Sequence, residues 1–119
     1  MKTLLVAHNI SGLFGEQFDE FLQPWVESLS KLATGANADF IAVHMQEVGG
    51  SMWKTDGVTA AAPLVQAIIA AFPEFWCSGM LINTDTSNLF SALGSVYLVR
   101  RARQFPFMTR LCRIMKLLT

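Results

Sequence analysis

The apolar residues follow two different periods along the chain. Thr3 to Ala7 is a short apolar run rich in Leu and Val, which predicts a buried first strand ending at Asn9 in the turn-prone HNISG. From Phe18 to Ala33 the apolar residues recur instead at Phe18, Phe21, Leu22, Trp25, Leu29, Leu32 and Ala33, the spacing of one helix face. Pro24 suits a first turn better than an interior, so this helix is expected to start near Gln23, with residues 15–22 as a loop or short turn and Gly35 as the stop. In Asp39 to Gly50, DFIAVHMQEVGG, the helical spacing gives way to a nearly continuous apolar run. Phe40, Ile41, Ala42, Val43 and Met45 put apolar groups on both faces, as in a central strand covered on both sides. A right-handed crossover makes two such strands parallel neighbours or near neighbours, so Asn9 and Glu47 should emerge at the same edge of one sheet.

A second helical period from Asp56 to Phe72 sets Leu64, Val65, Ile68, Ile69 and Phe72 on one face, with Pro63 marking an early turn and Pro73 closing it. Two β-rich stretches follow, Phe75 to Ile82 and Leu89 to Val99. The polar NTDTSN between them predicts an antiparallel hairpin with a loop of about six residues. From Ala102 onward, Met108, Leu111, Ile114, Met115 and Leu118 line one helical side and Arg110, Arg113 and Lys116 another, although Leu117 spoils the division. Such a tail either packs as an ordinary terminal segment or lies on an anionic membrane or in a partner's groove. The chain thus divides into a body, residues 1–99, and a basic amphipathic tail, residues 100–119.

Composition adds a charge contrast to this division. The 119 residues are 52% hydrophobic, enough for the core of one domain or of a piece of a larger one. The formal net charge is zero, yet before Arg100 three basic residues face nine acidic ones, a balance of minus six, and the last twenty positions supply plus six. An acidic body does not offer the phosphate-tracking surface that nucleic acid requires, so no nucleic-acid partner is expected. Cys77 and Cys112 are too few for a disulfide framework and are not spaced as a metal pair, which reads as reduced thiols in an intracellular protein. His8 and Asn9 end the apolar start too early for a secretory signal, and no stretch approaches the roughly 18 apolar residues of a membrane span. The expected location is cytoplasmic, with peripheral membrane contact through the basic tail.

Candidate chemistry concentrates at the strand ends. A carboxylate such as Glu47 at the end of a buried strand is costly to desolvate unless a metal, a cation or hydrogen bonds compensate it. Ligands of open α/β sheets bind beyond the carboxyl ends of strands, and Gly49 and Gly50 free the backbone to turn there. The other reading of Glu47 is a partly exposed strand-end residue in a loop. Asn9 stands in an N-x-S triplet, where a simple turn residue is the commonest role. His44, between Val43 and Met45, reads as a strand histidine with a hydrogen-bond partner.

The blocks LLVAHNISGLF, PWVESLSKL, ADFIAVHMQEVGG and FSALGSVYLV, in this order over residues 4–99, resemble the amino-terminal part of the type I inositol polyphosphate 5-phosphatases. These belong to the endonuclease/exonuclease/phosphatase superfamily. The resemblance implies an α/β (α+β) chain, the amino-terminal part of a four-layer sandwich with a mixed β-sheet and flanking helices, its second sheet missing. It implies magnesium-dependent hydrolysis of the 5-phosphate of inositol 1,4,5-trisphosphate and inositol 1,3,4,5-tetrakisphosphate, by a water attacking phosphorus in line. By motif position Glu47 matches the family's magnesium-binding glutamate, and Asn9 the first-strand asparagine that helps arrange metal and phosphate. Magnesium suits such a site because it takes oxygen ligands, often one or two carboxylates completed by water and substrate phosphate.

The departures set the functional expectation. The family's GDFN-like segment, its substrate-gripping WCDR-like segment and its late histidine following an aspartate are not in the sequence, nor is a carboxyl-terminal prenylation box, since the chain ends KLLT. The expectation is a truncated, catalytically incomplete inositol polyphosphate 5-phosphatase-like protein that holds magnesium weakly or not at all. The alternative from another class is a noncatalytic interaction module that binds a partner or an anionic membrane through its tail. A first sheet without its second layer should also leave an apolar face wet.

Overall fold

The fold is seen in a computed structural model that describes residues 1–83 and 92–102, with the backbone alone for residues 52–57. It is an α+β arrangement of a mixed four-stranded sheet and two helices: β1 (Thr3–Asn9), α1 (Phe18–Ala36), β2 (Phe40–Gln46), α2 (Trp53–Ala71), β3 (Phe75–Ile82) and β4 (Leu93–Arg100). The strand order is β1-β2-β4-β3. β1 and β2 are parallel neighbours with Asn9 opposite Gln46, as the crossover rule requires, while β4 runs antiparallel to both β2 and β3. The antiparallel pairing of β3 with β4 matches the expected hairpin. Residues 84–91, which hold most of the expected loop and the start of the second stretch, and the tail from residue 103 onward lie outside the described residues.

Both helices lie on one face of the sheet. Ile41, Val43 and Met45 of β2, with Val96 and Leu98 of β4, meet Val26, Leu29 and Ala33 of α1 and Ala61, Leu64 and Ile68 of α2 in a single buried cluster. This arrangement corrects two expectations about the strands. β1 is an edge strand whose Leu4 and Val6 are half-buried and whose Leu5 is 71% exposed, so it is not a buried strand. β2 is central in the order but covered by helices on one side only, which leaves Phe40 half-buried and His44 exposed. The small side chain of Ala42 is buried between its neighbours without joining the core cluster.

The helices override their prolines. α1 begins at Phe18 and not near Gln23, with Pro24 inside it, and α2 begins at Trp53 with Pro63 inside. An interior proline costs about 3 kcal/mol, but both rings are on the exposed side, and the turns preceding Pro24 carry Phe18 and Leu22 onto the core. Asp19 and Glu20 in the first turn complement the helix dipole, and Phe14 stacks on Phe18 at 5.5 Å. Gly35 is not the stop. The left-handed residue that ends α1 is Asn37, φ 47°, whose N–H reaches the carbonyls of Ala33 and Thr34.

Candidate functional site

The parallel pairing of β1 with β2 delivers the two candidate residues to one rim of the sheet. Asn9 Nδ2 donates to Glu47 Oε1 at 3.0 Å, and the N–H of Ser11 donates to Asn9 Oδ1 at 3.1 Å. Asn9 is therefore both a turn residue, closing an Asx-turn, and the partner of the carboxylate. The turn reading and the site reading describe the same side chain.

The chain beyond Gln46 is held tightly. Ile10 N–H donates to Gln46 O, Val48 N–H to Ala92 O and Gly50 N–H to Glu47 O, so the strand ends in a hydrogen-bonded turn. Glu47 itself has φ 57°, a left-handed conformation that a non-glycine residue adopts only at a cost. Gly50, φ 54°, passes so close to the first connection that an added Cβ would lie 2.9 Å from Phe14 Cβ and 3.3 Å from Ser11 O. Gly50 thus permits the two loops to pass closely, beside the turn that carries Glu47. A sequence-level cue for Ser11 existed in the N-x-S triplet. No such cue foretold the approach of Phe14 to Gly50.

Neither histidine joins the pair. His8 lies on the helix side, where its Nδ1 accepts from Trp25 Nε1–H at 2.9 Å and the two rings stack at 6.3 Å. In the neutral ring this leaves Nε2 to carry the proton. His44 is on the opposite face, its Nδ1 3.0 Å from Ser95 Oγ and its ring edge-on to Tyr97 at 5.9 Å, so it has the hydrogen-bond partner expected of it. Gln46 contributes its backbone carbonyl to Ile10.

As a cation site the rim is sparse. Among the described residues no three His, Cys, Asp or Glu side chains converge, and the carboxylate bonded to Asn9 at this rim is that of Glu47. Glu47 Oε1 accepts from Asn9, which orients the group and leaves the second oxygen without a hydrogen-bond partner among the described residues. That donor set suits an ion that keeps most of its water, and magnesium does so. Beside the turn, Phe14, Gly15, Phe18, Gly49, Ser51 and Pro63 line a cleft of about 390 Å³ whose walls are mainly apolar, a poor match for a polyphosphate. Among the described residues no helix is long and apolar enough to cross a membrane. No family model, no curated protein and no solved structure matches the chain.

Proposed function

We propose that this chain is the amino-terminal portion of an inositol polyphosphate 5-phosphatase-like hydrolase that retains a rudimentary magnesium and phosphate site but does not complete turnover. The observation that carries this reading is the Asn9–Glu47 hydrogen bond at 3.0 Å, which joins the ends of two parallel strands whose residues are 38 positions apart. Glu47 would hold the ion through its outward oxygen, and Asn9 would fix the orientation of that carboxylate. A bound magnesium ion supplies charge neutralisation at the phosphoryl oxygens. The left-handed backbone at Glu47 supports the reading, since strained conformations concentrate at functional sites.

Turnover asks for more than this rim contains. In-line hydrolysis needs a positioned water and a group to handle protons, and both histidine rings are engaged elsewhere, His8 with Trp25 and His44 with Ser95. The GDFN-like and later motifs of the family have no counterpart in the sequence. The purified chain is therefore expected to release no phosphate from inositol 1,4,5-trisphosphate with magnesium. Release abolished by Glu47→Ala would show that the site is complete after all. Manganese, substituted for magnesium, should broaden the NMR signals of residues 9–11 and 46–50. Glu47→Gln, which keeps an acceptor for Asn9 but removes the charge, should abolish the broadening. An unbroadened wild-type spectrum would refute the metal site.

A further inference from the structure

The sheet face turned away from the helices meets the site proposed above only at its rim, where strand alternation sets Asn9 on the same side as Leu5. Strand alternation puts Leu5, Phe40, Ala42, Tyr97, Leu93 and Leu81 on it, and Phe40 stacks on Tyr97 at 6.2 Å across β2 and β4. Leu5 is 71%, Leu93 55% and Leu81 43% exposed, and none of these six belongs to the core cluster. No Asp, Glu, Lys or Arg of the four strands faces this way. Among the described residues the Arg101 guanidinium borders it at one corner, 4.2 Å from the Trp76 ring, and the Glu47 carboxylate borders it at the rim beside Asn9.

We infer that this face is a self-association surface, on which a second copy of the chain lays the same face, sheet against sheet. Its chemistry selects that occupant. Nucleic acid or an anionic membrane would need cations across the face, and among the described residues it offers one at a corner, already stacked on an indole. A flat face without charged strand residues is complemented by another sheet packed about 10 Å away, and two such faces related by a two-fold axis bring no charged strand residue against a like one. A formal net charge of zero removes long-range repulsion between copies as well. The size also fits. Four strands about 4.8 Å apart, each about seven residues long at roughly 3.3 Å per residue, give a footprint of about 450 Å² per copy. Over both copies this is about 900 Å², below the roughly 1,200 Å² at which standard specific interfaces begin, which predicts a weak dimer of micromolar or lower affinity and not an obligate one.

Sedimentation velocity on the full chain, from about 1 to 200 µM, tests this in the range where such an interface should dissociate. The expected result is a concentration-dependent monomer–dimer equilibrium. Leu5→Lys and Leu93→Lys alter side chains already exposed in the monomer, so they should keep the far-UV circular dichroism spectrum while weakening the dimer at least about tenfold. Leu32→Lys, at a 55% exposed position on the outer side of α1, should leave the equilibrium unchanged. A chain that is monomeric throughout the range, one that forms polydisperse aggregates, or a dimer weakened equally by Leu32→Lys would overturn the assignment.

Discussion

The two ends of the sheet handle charge in opposite ways. At the end opposite the candidate site, Asp39 is 5% exposed and accepts from the N–H of Lys2 at 2.9 Å, while the Arg100 guanidinium beside it donates twice to Ala38 O, at 3.1 and 2.8 Å. Arg100 also reaches Glu74 at 3.3 Å, lies 3.8 Å from Asp39 and covers the Phe75 ring at 4.8 Å. There the charges close on one another and pin strand ends to helix ends. At the Asn9–Glu47 end a carboxylate faces an amide instead of a cation, on a backbone held in an unfavourable conformation. The first arrangement is what stability alone favours. The second leaves negative charge facing outward, which stability alone does not require.

Removing Arg100 should give the largest effect. Arg100→Ala strips two hydrogen bonds from the carbonyl of buried Ala38 and a cation from buried Asp39, at an expected cost of roughly 2–4 kcal/mol in urea unfolding. Little of that comes from Glu74, whose side chain is 77% exposed. A loss under about 0.5 kcal/mol, the usual range for a surface substitution, would erase the contrast between the ends.

Glu47→Gly should act in the opposite direction. Glycine adopts φ 57° freely, and relief of the strain should outweigh glycine's extra unfolded-state entropy and the exposed bond to Asn9, for a gain of roughly 0.5–1 kcal/mol. Destabilisation instead would mean that the carboxylate holds the turn together, as Arg100 holds the other end.

Cys77, between the two ends on the covered side of β3, should give the smallest effect. Burial raises its thiol above the ordinary value, and a hydrogen bond with the Gly79 backbone offsets part of the rise. The unfolded chain therefore ionises first. Stability is intact below the ordinary thiol range and falls as pH climbs from that range through the raised value. Comparing urea midpoints for the chain and for Cys77→Val between neutral and alkaline pH should show a decline confined to the wild type. Parallel curves would place the thiol in water.

The parts of the fold that rest on local periodicity were legible in the sequence. Both helices, the strand around Ile41 and the parallel placement of Asn9 and Glu47 all follow from spacing and a handedness rule. The helix starts were not, because Pro24 and Pro63 signal a break locally and only the packing of Phe18, Leu22, Ala61 and Leu64 on the core overrides it. The edge position of β1 was hidden for a similar reason. A run such as TLLVA reads as buried whichever side the helices take. At the site, the residue types were readable but their geometry was not, since the left-handed turn at Glu47 sits beside a close approach of Gly50 to Phe14, 36 positions earlier in the chain.

The two outer strands of the sheet are not equally protected. β3 carries a bulge between Cys77 and Met80, with Gly79 at φ 74°, and such a kink spoils the straight ladder that an incoming strand would copy. β1 is seven regular residues with no Pro and no charge, and no strand among the described residues lies outside it. Any ribbon-like growth of this chain is accordingly expected to template on Thr3–Asn9 and to spare Phe75–Ile82. Deuterium-exchange mapping of such fibres would contradict this if the carboxyl-terminal hairpin were the protected part.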